Sequence, residues 1–203
     1  MSVTGPDPEP GDRTDLESRE STPEGSGGTS METTRPDIPS PPNFEVVLVE
    51  PEIPNNTGNI GRTTAVTGCR LHLVHPLGFD IDDKAVKRAG LDYWPLVDLH
   101  EHGDWDSCDA AVPGPGWLLS RHAKHSIWDA RFQPGDRLVF GKESAGVGEA
   151  FRDEFVRRHG AERLIRLPML ERPGVRSLNL SNAVAVTIFE GLRQIHRSKP
   201  SRT

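Results

Sequence analysis

The sequence predicts an α/β fold, a mostly parallel sheet with helices on both faces. Three observations lead there. From Phe44 onward, short apolar runs alternate with segments of helical periodicity, the signature of strand–helix units laid side by side. The polar, glycine-rich segments 50–61, 141–148 and 168–179 each follow an expected strand, and in such sheets ligands sit beyond the C-terminal ends of the strands. No run of 18 apolar residues occurs, so nothing reads as a membrane-spanning helix.

The elements follow in order. Phe44-Glu-Val-Val-Leu-Val49 reads as a strand, and a loop carrying Pro51 and Pro54 runs from Glu50 to Asn56. Thr57–Thr67 forms a helix that Gly68 ends, since glycine accepts the left-handed conformation of a C-cap. Arg70–His75 alternates as a second strand. Asp82–Arg88 has acidic residues at its start and Lys87 and Arg88 at its end, as a helix dipole favours. A strand near Trp94–Leu99 is weakened by Pro95. Trp117–Ser120, Arg137–Phe140 and Arg163–Leu167 are further strands, and Glu149–His159 is a helix. Asn179–His196 is the longest helix, with Leu180, Val184, Ile188, Leu192 and Ile195 on one stripe. Ala183, Val186 and Phe189 widen its apolar surface, so it needs cover on two sides: its own sheet and a second subunit.

Charge and composition divide the chain. Residues 1–43 hold 8 of the 18 prolines, 9 acidic and 3 basic residues, and no aromatic residue. Such a segment cannot bury enough apolar area to offset the cost of ordering, so it is expected to be a disordered acidic extension. The formal charge of −6 belongs to it entirely, and overall charge says nothing about what the folded part binds. Residues 44–196 form one domain, and 197–203 a flexible basic end. The N-terminus has neither the basic nor the apolar region of a secretory signal. Two cysteines without a CxxC spacing argue against a disulfide framework or zinc knuckle, and favour a reducing cytoplasm.

Several chemistries fail on spacing. Gly141-Lys-Glu-Ser-Ala-Gly-Val-Gly148 lacks the Lys-Ser/Thr that must follow the last glycine of a nucleotide phosphate loop. Gly114-Pro-Gly116 precedes a strand where a dinucleotide fingerprint follows one. His100-Glu-His102 and His122-Ala-Lys-His125 have no carboxylate or thiolate cluster to complete a metal site and read as surface histidines. Gly-x-Ser-x-Gly is absent, which weakens a hydrolase reading. The dense polar segment Asn55–Arg62 is compatible with helix capping and a surface arginine, or with a ligand site. Arg176-Ser-Leu-Asn-Leu-Ser-Asn182 has more small polar side chains than a cap uses, which points to ligand contacts.

Together these segments are more specific than any one alone. Glu50-Pro-Glu-Ile-Pro-Asn-Asn-Thr-Gly-Asn-Ile-Gly-Arg62 resembles the first motif of the SpoU branch of the SPOUT RNA methyltransferases. Phe140-Gly-Lys-Glu-Ser-Ala-Gly146 resembles the second, and Leu167-Pro-Met169 with Ser177-Leu-Asn-Leu-Ser-Asn-Ala-Val-Ala185 the third. Pro76-Leu-Gly-Phe79 and Gly90-Leu-Asp-Tyr93 are similar to the minimal members that methylate the tRNA wobble nucleotide 34, cytidine or modified uridine. Related alternatives are another tRNA site, a ribosomal RNA site, or an inactive RNA-binding module.

The resemblance implies a C-terminal trefoil knot, a homodimer with composite active sites, S-adenosylmethionine as cofactor, no metal, and a tRNA anticodon stem–loop as partner. It implies that Leu119, Gly141, Leu167 and Ser177 contact the cofactor, with Met169 as an apolar wall and Glu143 supporting the second-motif loop. Asn56, Arg62, Ser177 and Asn179 would face the ribose, with Arg62 the family's candidate to take the 2′-hydroxyl proton; a guanidinium normally stays protonated, so its main expected part is to orient the ribose and stabilise developing oxyanion charge.

Overall fold

The computed structural model describes residues 39–81, 92–170, 172–174 and 177–198. The helix expected at 82–88 lies outside them. Seven strands form one sheet: β1 (Phe44–Val49), β2 (Arg70–Val74), β3 (Leu99–His102), β4 (Gly116–Leu119), β5 (His125–Ser126), β6 (Asp136–Phe140) and β7 (Leu164–Arg166). Their order is β3-β2-β1-β6-β4-β7-β5, and every pairing is parallel. The helices are α1 (Pro54–Thr67), α2 (Trp105–Ala111), α3 (Glu149–His159) and α4 (Leu180–Ser198).

The period of two along β1 assigns the helices to faces. Phe44, Val46 and Leu48 pack in one core with Ile60 of α1 and Val184, Ile188 and Ile195 of α4. Val47 and Val49 pack in another with Cys108 of α2 and Phe155 of α3. The central strands are buried on both sides, which is why Val46–Val49 of β1 and Leu138–Phe140 of β6 read as continuous apolar runs rather than strict alternations. Gly68 adopts φ 63° at the end of α1, where its N–H bonds Thr64 O.

The structure departs from expectation in four places. Trp94–Leu96 is a single 3-10 turn, because Pro95 fixes its own φ and offers no N–H to a ladder. The edge strand follows it, at Leu99–His102. Helix α2 is a seven-residue segment built on an Asp104–Ser107 capping box, too short for a periodicity signal. Helix α1 begins at Pro54, with Ile53 as N-cap and no side-chain cap; proline is well suited to the first helical position. Thr57 is therefore inside the helix and does not cap it, and its buried hydroxyl has no hydrogen-bond partner among the described residues.

The strands also carry polar groups inward on the α2/α3 side. Glu45 accepts from Arg70 Nη1 at 3.1 Å and lies 2.8 Å from His72 Nε2. His72 Nδ1 is 2.9 Å from His102 Nε2. A carboxylate only accepts, so His72 donates to Glu45 through Nε2. His102, expected at the surface, is thus half-buried against β2. At the chain's entry, Asn43 is bonded to the rest of the fold: its N–H reaches Gly68 O at 3.0 Å, its side chain reaches Thr67 O at 2.7 Å, and its carbonyl accepts from Gly135.

Candidate active site

The three glycine-rich segments meet at the C-terminal edge of the sheet. There they enclose a cavity of about 440 Å³, within the usual size range for small-molecule sites. Asn56, Leu119, Gly141, Glu143, Leu167, Met169, Ser177 and Asn179 all line it. Of the residues singled out in the sequence, only Arg62 does not.

The polar side of the cavity is one directional chain. Glu143 accepts from Glu52 N and from Asn56 Nδ2, both at 2.8 Å. A carboxylate offers no proton, so the amide of Asn56 must turn its nitrogen toward Glu143 and its oxygen the other way. That oxygen accepts from Asn179 Nδ2 at 2.9 Å. Asn179 Oδ1 in turn accepts from Ser181 N at 2.9 Å and Ser181 Oγ at 2.7 Å, which caps α4. Residues 123 positions apart are locked side by side, and each amide has one allowed orientation.

The loop after β6 is shaped by backbone. Gly146 N donates to Lys142 O at 2.8 Å and closes a tight turn. A Cβ on Gly141 would lie 2.3 Å from the Gly146 carbonyl carbon, so any side chain there would force the turn open. The turn is also tied to the first loop. Glu52 accepts from Ser144 N at 3.0 Å and Ser144 Oγ at 2.9 Å, and these bonds hold its carboxyl below the usual range. Lys142 Nζ bonds Glu50 at 2.7 Å, which raises the lysine pKa. Glu50 itself has φ 52°, a conformation that costs a non-glycine residue about 1–3 kcal/mol. It is held by its N–H bond to Val74 O at 2.9 Å.

The opposite wall is apolar: Leu119, Val147, Leu167, Met169 and Leu178. Among the described residues no group of three or more His, Cys, Asp or Glu could hold a metal ion.

Arg62 stands apart for a reason of helix geometry. It lies six residues beyond Asn56, roughly 120° round the helix and ~9 Å along it. Its exposed guanidinium stacks on Tyr93, 4.4 Å from the ring centroid. Tyr93 is fixed in turn by its hydroxyl, which donates to Gly58 O at 2.8 Å.

Ser120, Arg121 and His122 also line the cavity; sequence reasoning read Arg121 and His122 as surface residues and gave none of the three a place in the site. They follow the end of β4, so the rule placing ligands beyond strand ends would have found them. The Glu52–Ser144 and Glu50–Lys142 ties join residues 92 apart and leave no local signal.

Comparison with known proteins agrees with this geometry. Residues 43–189 match the model of the SpoU rRNA Methylase family. The chain is 53% identical over 154 residues to a tRNA (cytidine(34)-2'-O)-methyltransferase of Polaromonas sp., covering 74% of this chain and 90% of that one. Among solved structures, a putative RNA methyltransferase from Bacillus anthracis superposes with TM-score 0.68 at 37% identity, covering 78% of this chain and 98% of the other. Another, from a study of 2-OH methylation of C/U34 on tRNA, gives TM-score 0.64 at 42% identity over 74% of this chain and 95% of the other. The chain belongs to the SpoU rRNA Methylase family.

Proposed function

We propose that this protein methylates the ribose 2′-hydroxyl of wobble nucleotide 34, cytidine or uridine, in tRNA anticodons, using S-adenosylmethionine. The observation that carries the reading is the Glu143–Asn56–Asn179 chain, which joins the three family motifs in one cavity. Relatives about half identical over most of their length bear that activity in their names.

The cavity suits the cofactor. Its apolar wall can take a planar base, and the side-chain-free approach at Gly141 leaves loop backbone open to polar groups. Leu119, Gly141, Leu167, Met169 and Ser177 would hold it. When bound, S-adenosylmethionine supplies an electrophilic methyl group. Asn56 and Asn179 would fix the ribose edge, with Glu143 holding Asn56 in its donating orientation. Alignment of this kind supplies up to ~7–11 kcal/mol toward the barrier of a two-reactant step. The 2′-oxygen would form its bond to the methyl as the methyl–sulfonium bond breaks, with S-adenosylhomocysteine as the leaving group and the hydroxyl proton passing to solvent. Arg62 would grip the ribose–phosphate and stabilise negative charge on that oxygen. A guanidinium stays protonated, so its part is orientation and charge, not proton removal.

Arg62 can take that part only in a homodimer whose composite site brings it to the partner's cavity. Two features support the dimer: Arg62 is outside its own cavity, and Val186 and Phe189 leave an apolar strip on α4 that is 42% and 59% exposed. The strand order supports a trefoil knot. β4 and β5 are neighbours in sequence, yet β7 lies between them, so the 120–124 connection passes across the end of β7. Fully buried, unpaired Cys69 and Cys108 accord with a cytoplasmic setting.

Calorimetry with S-adenosylmethionine in excess EDTA tests the assignment. One site per protomer is expected, unchanged by the chelator. A folded dimer that binds nothing would overturn the cofactor reading.

A further inference from the structure

Beyond the cavity, one exposed aromatic is left unexplained by the fold. Trp128 is 56% exposed, whereas Trp117 is buried at 6%, between Phe132 and Arg163. It is also firmly presented. It sits in the 3-10 turn Ile127–Asp129, capped in both directions by Ser126 and Asp129. Ile127 before it and Ala130 after it are buried. The ring is thus held out by a turn anchored on both sides, at little entropic cost on binding.

Its place in the sheet is specific. The turn follows edge strand β5, whose Ser126 pairs with Arg166 at the end of β7. Leu167 and Met169, just beyond, line the cavity, as do Arg121 and His122 on the connection leading into β5. β5 is two strands from β4, ~10 Å away at the usual strand spacing. The surroundings are cationic: Arg121, Lys124, Arg131 and Arg166 are exposed, with His122 and His125 among them. Within 120–131 the single acidic residue, Asp129, accepts from Ser126 N at 3.1 Å. Leu170, 80% exposed, extends the apolar surface beside the cavity.

We infer that Trp128 is a stacking platform for an unpaired nucleotide flanking the methylated one, with Arg121, Lys124 and Arg166 contacting the adjoining phosphates. Aromatic rings interleaved with basic side chains are how single-stranded nucleic acid is held without sequence readout. A second copy of this chain fits the patch poorly, because a two-fold contact would set cations against cations. The inference rests on reading the cavity as the methyl-transfer site, and it assigns the strand's path away from it.

The test uses the full chain, an anticodon stem–loop RNA and a single-stranded oligouridine. Trp128→Ala is expected to raise KM for the stem–loop about 5- to 150-fold, as loss of one base–aromatic stack does. kcat should stay within about two-fold, since the ring is remote from the reacting atoms. Trp128→Phe keeps a stacking face and should keep KM near wild type, while abolishing the tryptophan quenching that RNA causes. Arg166→Gln should reduce the salt slope of binding by roughly 0.7–0.9, one phosphate contact. Unchanged KM in Trp128→Ala, with the wild type methylating the stem–loop, overturns the platform and leaves the function standing. If the wild type methylates no stem–loop but Trp128→Ala still weakens oligouridine binding, the target assignment fails and the platform holds. Loss of the dimer in Trp128→Ala would make the patch a contact between copies and overturn the inference.

Discussion

At the scale of single residues, Asn56 is the most constrained position. It is 5% exposed and both ends of its amide are committed. Asn56→Ala strands an acceptor of Glu143 and a donor of Asn179, each costing about 1–3 kcal/mol where water cannot replace the partner. Asn56→Asp should be worse, because it sets a second carboxylate against Glu143, whose donor was 2.8 Å away. Thermal melts should rank wild type above Ala above Asp; an Asp variant as stable as wild type would contradict the assigned amide orientation. Arg62→Ala should behave differently. With the guanidinium exposed and outside its own cavity, stability and cofactor affinity should hold while methyl transfer falls ~10²–10³-fold. Arg62→Lys should recover little, since lysine lacks the planar fork. Near-normal single-turnover transfer by Arg62→Ala would return the residue to a surface role. The cavity residues were legible because motif residues stay together in sequence. The ties that aim them were not, because Glu52–Ser144 and Glu50–Lys142 are tertiary contacts without periodicity.

At the scale of elements, the apolar segments matched their predicted type, short β4 and β7 included, while β3, β5 and α2 escaped. β1, β6, α3 and α4 carry six, five, eleven and nineteen residues, enough for a pattern. β5 has two residues and β3 four, with only partial burial, so their pairing is set by neighbours. Helix α4 shows both sides of its predicted amphipathicity: Val184 and Ile188 are fully buried, while Val186 and Phe189 remain exposed. Phe189→Asp should therefore cost a lone protomer little. In the proposed dimer it would bury an unpaired charge, which costs more than an unpaired neutral polar group. Sedimentation should show monomer, and an unchanged dimer would move the interface elsewhere. Strand β3 gives a pH prediction. Burial, then the neighbouring His72 and His100, hold the His102 pKa below its ordinary 6.5. The unfolded chain then takes up a proton near 6.5 that the folded chain refuses until lower pH. Stability should be complete above that value and fall as the pH drops through it. Burial and Arg137 shift His159 the same way, so His102→Gln should flatten the urea midpoint between about pH 7.5 and 5.5 without abolishing its slope. A slope unchanged in His102→Gln would remove that histidine from the acid response.

At the scale of the whole molecule, charge and fold are separable. The excess negative charge lies in residues 1–43, and the remainder balances at 21 acidic and 21 basic residues. Composition alone puts Asn43 with the extension, yet its three backbone and side-chain bonds join it to the end of α1 and to Gly135. Deleting 1–38 should leave melting temperature and transfer near wild type, whereas deleting 1–43 should lower the melting temperature by several degrees, the shift expected for about 1 kcal/mol in a domain this size. Equal melts for the two truncations would show Asn43 to be dispensable.

In the proposed function, one cavity at the sheet edge directs a methyl group to one ribose oxygen. Single-turnover transfer from labelled S-adenosylmethionine to two anticodon stem–loops, identical except for a 2′-deoxy sugar at nucleotide 34, tests it most directly. One methyl per strand is expected on the all-ribose RNA, located at nucleotide 34, and none on its 2′-deoxy partner. Equal labelling of both RNAs, or none of the first by a folded dimer that binds the cofactor, would contradict it.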